Sequence, residues 1–145
     1  MAVLLDTNIL LRLLQPHHPH NPLAERALAV LRSRNETIYI ALQNMVEFWT
    51  VVTRPLGENG LGWSVERAAQ ELDTLKRLFI LLPEVPLEDE WERLVSAYRV
   101  SGKNTHDAHL VAAMRVHGIG SILTFNAPDF ARYGQIVVLE PGKLT

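Results

Sequence analysis

Along the chain, short uninterrupted apolar runs alternate with stretches in which apolar residues recur every three or four positions. The runs predict strands at Ala2 to Leu5, Thr37 to Ile40, Ser121 to Thr124 and Ile136 to Leu139. Phe79 to Leu82 reads either as a fifth strand or as the end of a helix. Between the runs, Leu23, Ala27, Val30 and Leu31 outline one amphipathic helix, and Val65, Ala68, Ala69, Leu72, Leu75 and Phe79 another. The same spacing recurs in Met45, Phe48, Trp49 and Val52, in Leu87, Trp91, Leu94, Val95 and Tyr98, and in Leu110, Val111 and Met114. The Pro- and His-rich run Gln15 to Pro22 and the segment Arg54 to Gly62, with its three glycines, are expected to be loops. Strand and helix patterns in alternation predict an α/β fold with a mostly parallel sheet and helices on both faces. Neither loop is long enough to part the chain, so residues 1–145 are expected to form a single domain.

Composition narrows the class without naming an activity. With 145 residues, 48% hydrophobic and 21% charged, and a formal net charge of −2, the chain is a globular domain able to bury roughly two thirds of its unfolded surface. Cysteine is absent, which excludes disulfides, thiolate nucleophiles and cysteine-ligated zinc. No apolar stretch approaches the ~20 residues of a membrane helix, and the N-terminus opens on a strand pattern with no basic segment before it. A cytoplasmic protein is expected. The slight acidity weighs little against nucleic-acid binding, because a local basic rim can hold phosphates around an acidic site.

The candidate chemistry lies in carboxylates at the ends of these elements. Asp6 directly follows Met1-Ala2-Val3-Leu4-Leu5, a run with the pattern of a strand buried on both faces, and ligands collect outside the carboxyl ends of such strands. Asp6 also stands where an N-cap for the next helix would stand, so its position alone does not separate cap from site. Asp107 precedes Leu110, Val111 and Met114 by three, four and seven residues, so it heads the buried face of its helix. An unpaired carboxylate there is costly, although an acid in a first turn also complements the helix dipole. Glu47 lies almost opposite the Met45/Phe48/Trp49/Val52 stripe, where solvation is the default. Gln43, Asn44 and Glu47 nevertheless share one polar flank that would also suit a wet cleft. After the Ser121 strand, Thr124, Asn126 and Asp129 form a second polar cluster at a strand end. Turn and capping roles suit Asp129 best, and Asn126 is better placed to touch a ligand.

Taken in order, Asp6-Thr7-Asn8, Glu47, His106-Asp107-Ala108 and Thr124-Phe125-Asn126 with Asp129-Phe130 resemble the PIN-domain family, and within it the VapC-type toxins of prokaryotic toxin–antitoxin pairs. The resemblance runs from Ala2 to about Leu139, and its specificity rests on order and spacing because each motif is short. It implies a three-layer α/β/α sandwich and a Mg²⁺- or Mn²⁺-dependent endoribonuclease whose acids are Asp6, Glu47 and Asp107. It also implies an antitoxin partner that blocks the site, and a homodimer. Asn126 occupies a position that is often Asp in the family. A neutral oxygen there would hold a second metal weakly unless Asp129 took its place.

Three converging carboxylates raise one another's pKa unless a cation neutralises them. Mg²⁺ is a hard cation that keeps several waters and takes oxygen ligands, with Asp6 and Asp107 as the expected direct ligands. Glu47 would act through water, while Asn8, Thr124, Asn126 and Asp129 would support the shell. Arg12, Arg99, Lys103, Arg115 and Arg132 lie nearest the motifs in sequence, and for most of them ordinary solvated surface is expected. His17, His18 and His20 lack fixed zinc-site spacing and are expected in an exposed loop. His106 and His109 flank Asp107, with capping or core-edge roles expected. The main competing reading is a non-catalytic partner-binding module in which the acids only cap helices and Trp49, Trp63 and Trp91 belong to a docking surface. A phosphoacceptor or phosphatase domain is disfavoured, since no second acid follows Asp6 at short spacing.

Overall fold

The apolar run that opens the chain becomes the middle of the sheet. A computed structural model describes residues 1–145, in which β1 (Ala2–Leu5) pairs in parallel with β2 (Thr37–Ile40) on one side and β4 (Ser121–Leu123) on the other. β3 (Ile80–Leu81) and β5 (Val137–Leu139) close the two edges, also in parallel. The order is β3-β2-β1-β4-β5. The chain therefore leaves β1 in one direction for β2 and β3, and resumes on the other side with β4. The crevice beyond β1 and β4 is the switch point, where open α/β sheets bind ligands.

Helices α1 (Thr7–Leu13), α2 (Asn21–Ser33), α3 (Leu42–Thr53) and α4 (Val65–Leu78) serve one face, and α5 (Glu88–Ala97) and α6 (Asn104–His117) serve the other. Val3 and Leu5 point into the α1–α4 layer, and Leu4 into the α5–α6 layer. Alternate side chains of one strand thus enter two separate cores, which is why no polar residue interrupts the run. The three layers and the all-parallel sheet agree with the expected architecture.

Several boundaries differ from expectation, each for a local reason. Phe79 is the buried last residue of the α4 turn and not a strand residue; its N–H donates to Leu75 O. Leu82 lies past β3, although its N–H still donates to Ile40 O at 2.8 Å. Thr124 likewise leaves β4 while its N–H reaches Leu139 O at 3.0 Å, and Ile136 precedes β5. Asn21 and Pro22 belong to α2 and not to the preceding loop, because proline suits the first helical turn where its missing N–H costs nothing. The segment after α3 contains a single 3₁₀ turn, Leu56–Glu58. In α2 the buried stripe is Ala24, Ala27, Leu28 and Leu31, rotated away from Leu23 and Val30, and in α4 Val65 and Ala69 are exposed.

Candidate active site

Asp6 sits where β1 ends and α1 begins, so the cap and site readings describe the same residue. It occupies the N-cap position, and its Oδ1 accepts from Thr7 N at 2.8 Å. Its other oxygen accepts from Thr124 Oγ1 at 2.7 Å and Asn8 Nδ2 at 3.2 Å. Thr124 is fully buried and Asp6 is only 7% exposed. The hydroxyl that ends β4 therefore holds the carboxylate that ends β1. Asn8 completes this corner, donating also to Thr124 Oγ1 at 3.4 Å and accepting from Phe125 N at 3.2 Å.

Glu47 departs from its default of free solvation: it is half-buried and fixed by two donors. Thr7 Oγ1 donates to its Oε1 at 2.7 Å, and Gln43 Nε2 to its Oε2 at 3.2 Å. The polar flank of α3 thus faces the crevice. Asn44 on that flank is fully buried; its Oδ1 accepts from Ala41 N at 2.8 Å, and its Nδ2 donates to Thr7 Oγ1 at 3.1 Å. The role of Thr7, which bridges Asn44 and Glu47, was absent from the sequence reading. A threonine beside an N-cap aspartate carries no periodic signal, although its place directly after the strand-end acid was visible.

Asp107 arrives from the opposite layer, in the first turn of α6, with Ala108, Leu110, Val111 and Met114 buried behind it. Gln43 ties the two layers together at this point: its Nε2 donates to His106 O at 2.7 Å, and its Oε1 meets the His109 ring. His106 and His109 are both exposed. No protein group donates to the Asp107 carboxylate, whose lone pairs are left for water or a ligand.

The acids lie near enough for their charges to act on one another. Burial is the main force raising Asp107, followed by the charges of Asp6, Asp129 and Glu47, with Lys103 opposing, and its pKa is pushed up to about 7. Asp6 is also raised, first by burial and then by Glu47 and Asp129, against the lowering effect of its Thr124 and Thr7 hydrogen bonds. Asp129 lies in the short 3₁₀ turn Ala127–Phe130, the turn position expected of it, and its charge contributes to raising both aspartates. Asn126 is exposed, and only its backbone reaches the network, its N–H donating to Thr124 Oγ1 at 2.9 Å. Among the cations considered, Lys103 acts on Asp107, whereas Arg115 lies in the last turn of α6, about 12 Å along the helix axis from Asp107, bonded to Gly134 O and beside Glu90.

Such a cluster fits a hard divalent cation. Two aspartates raised by burial and by neighbouring carboxylates gain from a neutralising charge, and Asp107 offers unclaimed oxygens. No three Asp, Glu or His side chains close around one point, so the expected convergence of Asp6, Glu47 and Asp107 is not met in full; a cation here would be held by one or two carboxylates and completed by water, as Mg²⁺ usually is.

Comparison with known proteins now gives this geometry a context. A profile described as the PIN domain matches residues 3–136. The chain belongs to the PIN-domain family. This PIN domain is 28% identical over 144 residues to Ribonuclease VapC24 of Mycobacterium tuberculosis, covering 94% of each chain. Its fold is similar to that of the VapBC2 structure from Rickettsia felis, bound to a promoter DNA fragment, with TM-score 0.72, 16% identity, and 97% and 98% of the two chains covered. It is also similar to VapC20 of Mycobacterium tuberculosis, a toxin that cleaves the sarcin-ricin loop, with TM-score 0.65, 22% identity, and 92% and 96% covered. At these identities the structural likeness establishes the PIN fold alone. No helix of this PIN domain is long and apolar enough to cross a membrane.

Proposed function

We propose that this PIN domain is a Mg²⁺- or Mn²⁺-dependent endoribonuclease acting as the toxin of a toxin–antitoxin pair. The observation that carries the reading is that Asp6, at the end of β1, and Asp107, from the opposite layer, lie near enough at the sheet's switch point for the charge of Asp6 to raise Asp107. Support for RNA as substrate comes from the similarity to a VapC ribonuclease over 94% of the chain. Fold similarity to VapBC assemblies supports a small antitoxin as partner, and a homodimer accords with the same reading.

Asp6 and Asp107 would hold the metal, which when bound supplies Lewis acidity toward a phosphodiester and acidifies water. Thr124, Asn8 and the Thr7 N–H orient Asp6, so its carboxylate does not have to reorganise when charge arrives. Glu47, pinned by Thr7 and Gln43, directs its remaining lone pairs into the crevice, where it orients the attacking water and receives its proton. Water adds to phosphorus, the bond to the 3′ oxygen breaks, that oxygen takes a proton from solvent, and the products are a 5′-phosphate and a 3′-hydroxyl.

The test is cleavage of single-stranded RNA by purified protein with Mg²⁺ or Mn²⁺ and with EDTA, alongside Asp6→Asn and Asp107→Asn. Each substitution removes a charge while keeping shape. A loss of roughly a hundredfold or more is expected, since even outer-shell changes at metal sites cost about 10–100-fold. Undiminished cleavage by either variant overturns the assignment. Absence of both cleavage and any metal effect on melting would instead favour a partner-binding module.

A further inference from the structure

We propose that His20 and Phe125 form a stacking platform that holds one unpaired base of the RNA substrate beside the acidic crevice. This deepens the ribonuclease reading and rests on it. The His20 and Phe125 rings lie almost parallel, 14° apart, with centroids separated by 4.8 Å. Offset stacking at this distance is the arrangement aromatic rings favour with one another and with bases.

Nothing in the fold explains why His20 takes this position. It is exposed, it stands at the N-cap position of α2, and its side chain makes no capping hydrogen bond. The loop before it is nevertheless pinned. Asn21, buried at 6% exposure, donates to Arg12 O at 2.8 Å, so the end of α1 and the start of α2 are tied together. His18 Nδ1 accepts from the His20 N–H at 2.9 Å, and its ring leans on His20 at 5.3 Å. The expected solvent-exposed loop therefore presents an ordered ring.

Phe125 links that ring to the chemistry. It follows Thr124, whose hydroxyl holds Asp6, and its own N–H donates to Asn8 Oδ1 at 3.2 Å. Asn8 in turn donates to Asp6 Oδ2 at 3.2 Å. A base stacked on this platform would thus lie against the segment that holds Asp6. Stacking reads a base's face and tolerates any sequence, and it needs a base free of a duplex. Arg12, half-buried beside His18 and bonded to Gln15 Oε1 at 2.7 Å, has no carboxylate partner, and supplies positive charge for the adjoining phosphate.

The experiment measures binding and turnover separately. A single-stranded RNA carrying 2-aminopurine is titrated, with Mg²⁺ present, into protein with Asp107→Asn, alone and combined with His20→Ala or His20→Tyr. The same two His20 substitutions, in otherwise unchanged protein, are assayed for cleavage. Quenching of 2-aminopurine in the Asp107→Asn protein, its loss with His20→Ala and its return with His20→Tyr are expected. In cleavage, KM should rise roughly tenfold with His20→Ala, with kcat little changed. Binding and KM indifferent to His20→Ala would overturn the platform while leaving the nuclease reading intact, as would RNA binding without quenching. His20-dependent quenching in a protein that cleaves no RNA would uphold the platform and sink the nuclease instead. If no RNA bound to any form, the platform would fall.

Discussion

Asp107 makes the metal-free protein less stable as pH rises, and the size of the effect follows from its surroundings. Its pKa of about 7 lies above the ordinary 3.8, so between about pH 4 and 7 the folded chain holds a proton that the unfolded chain has released. Stability is therefore greatest at the acidic end of that window and falls as pH rises through 7. Asp6 is raised as well and acts in the same direction. A shift of about three units corresponds to roughly 4 kcal/mol. Because Asp107 is only half-buried, solvent screening reduces this to about 1–2 kcal/mol. At about 2.1 cal/mol/K per residue, unfolding of a chain this long changes Tm by about 3 °C for each kcal/mol. Melting in EDTA at pH 5 and pH 8, an interval that spans about 60% of the titration, with Asp107→Asn as the reference that cancels other titrating groups, should show the unaltered protein losing about 2–4 °C more than the variant. Mg²⁺ or Mn²⁺ at a hundred times its Kd should restore about 2.7 kcal/mol at pH 8, and less at pH 5, where protons compete. A metal-free Tm that rises with pH relative to Asp107→Asn, or is indifferent to both metals at pH 8, would refute this account of the crevice.

Two further outcomes test the network around the acids. Thr7→Val keeps the shape but removes the acceptor for the fully buried Asn44 amide and the donor to Glu47; a loss of about 1–3 kcal/mol in urea denaturation is expected, with slower cleavage, and unchanged stability would show that the hydroxyl is dispensable. Asn126→Asp adds a charge at the exposed rim, worth about 1 kcal/mol in a water-like dielectric and so roughly fivefold in metal affinity. Calorimetric titration with Mn²⁺ would contradict this if binding were no tighter.

What could be read from sequence tracks how much each element is buried. β1 was legible because both its faces enter cores, leaving an unbroken apolar run. β3 was ambiguous for the opposite reason: two edge residues, Ile80 and Leu81, both exposed, supply no pattern, and the buried Phe79 beside them is the C-cap of α4. Asp107 was legible from sidedness, since Leu110, Val111 and Met114 fixed the direction it faces. Glu47 was not, because a stripe of apolar residues tells which side of α3 is dry but not whether the wet side meets bulk water or a crevice. Only the hydrogen bonds from Thr7 and Gln43 decide that, and Thr7 lies 40 positions away in the chain. The His20–Phe125 stack was illegible for the same reason. It joins a loop to a strand end, and neither partner sits in a periodic pattern.

The bond from Thr124 to Asp6 spans 118 positions, and it gives the order of synthesis a consequence. Asp6 leaves the ribosome more than a hundred residues before Thr124, so a nascent chain carries an unfinished site until β4 has emerged. Activity is switched on only when β4 slots in beside β1. An enzyme built this way cannot position its strand-end carboxylate until both halves of the sheet have been made.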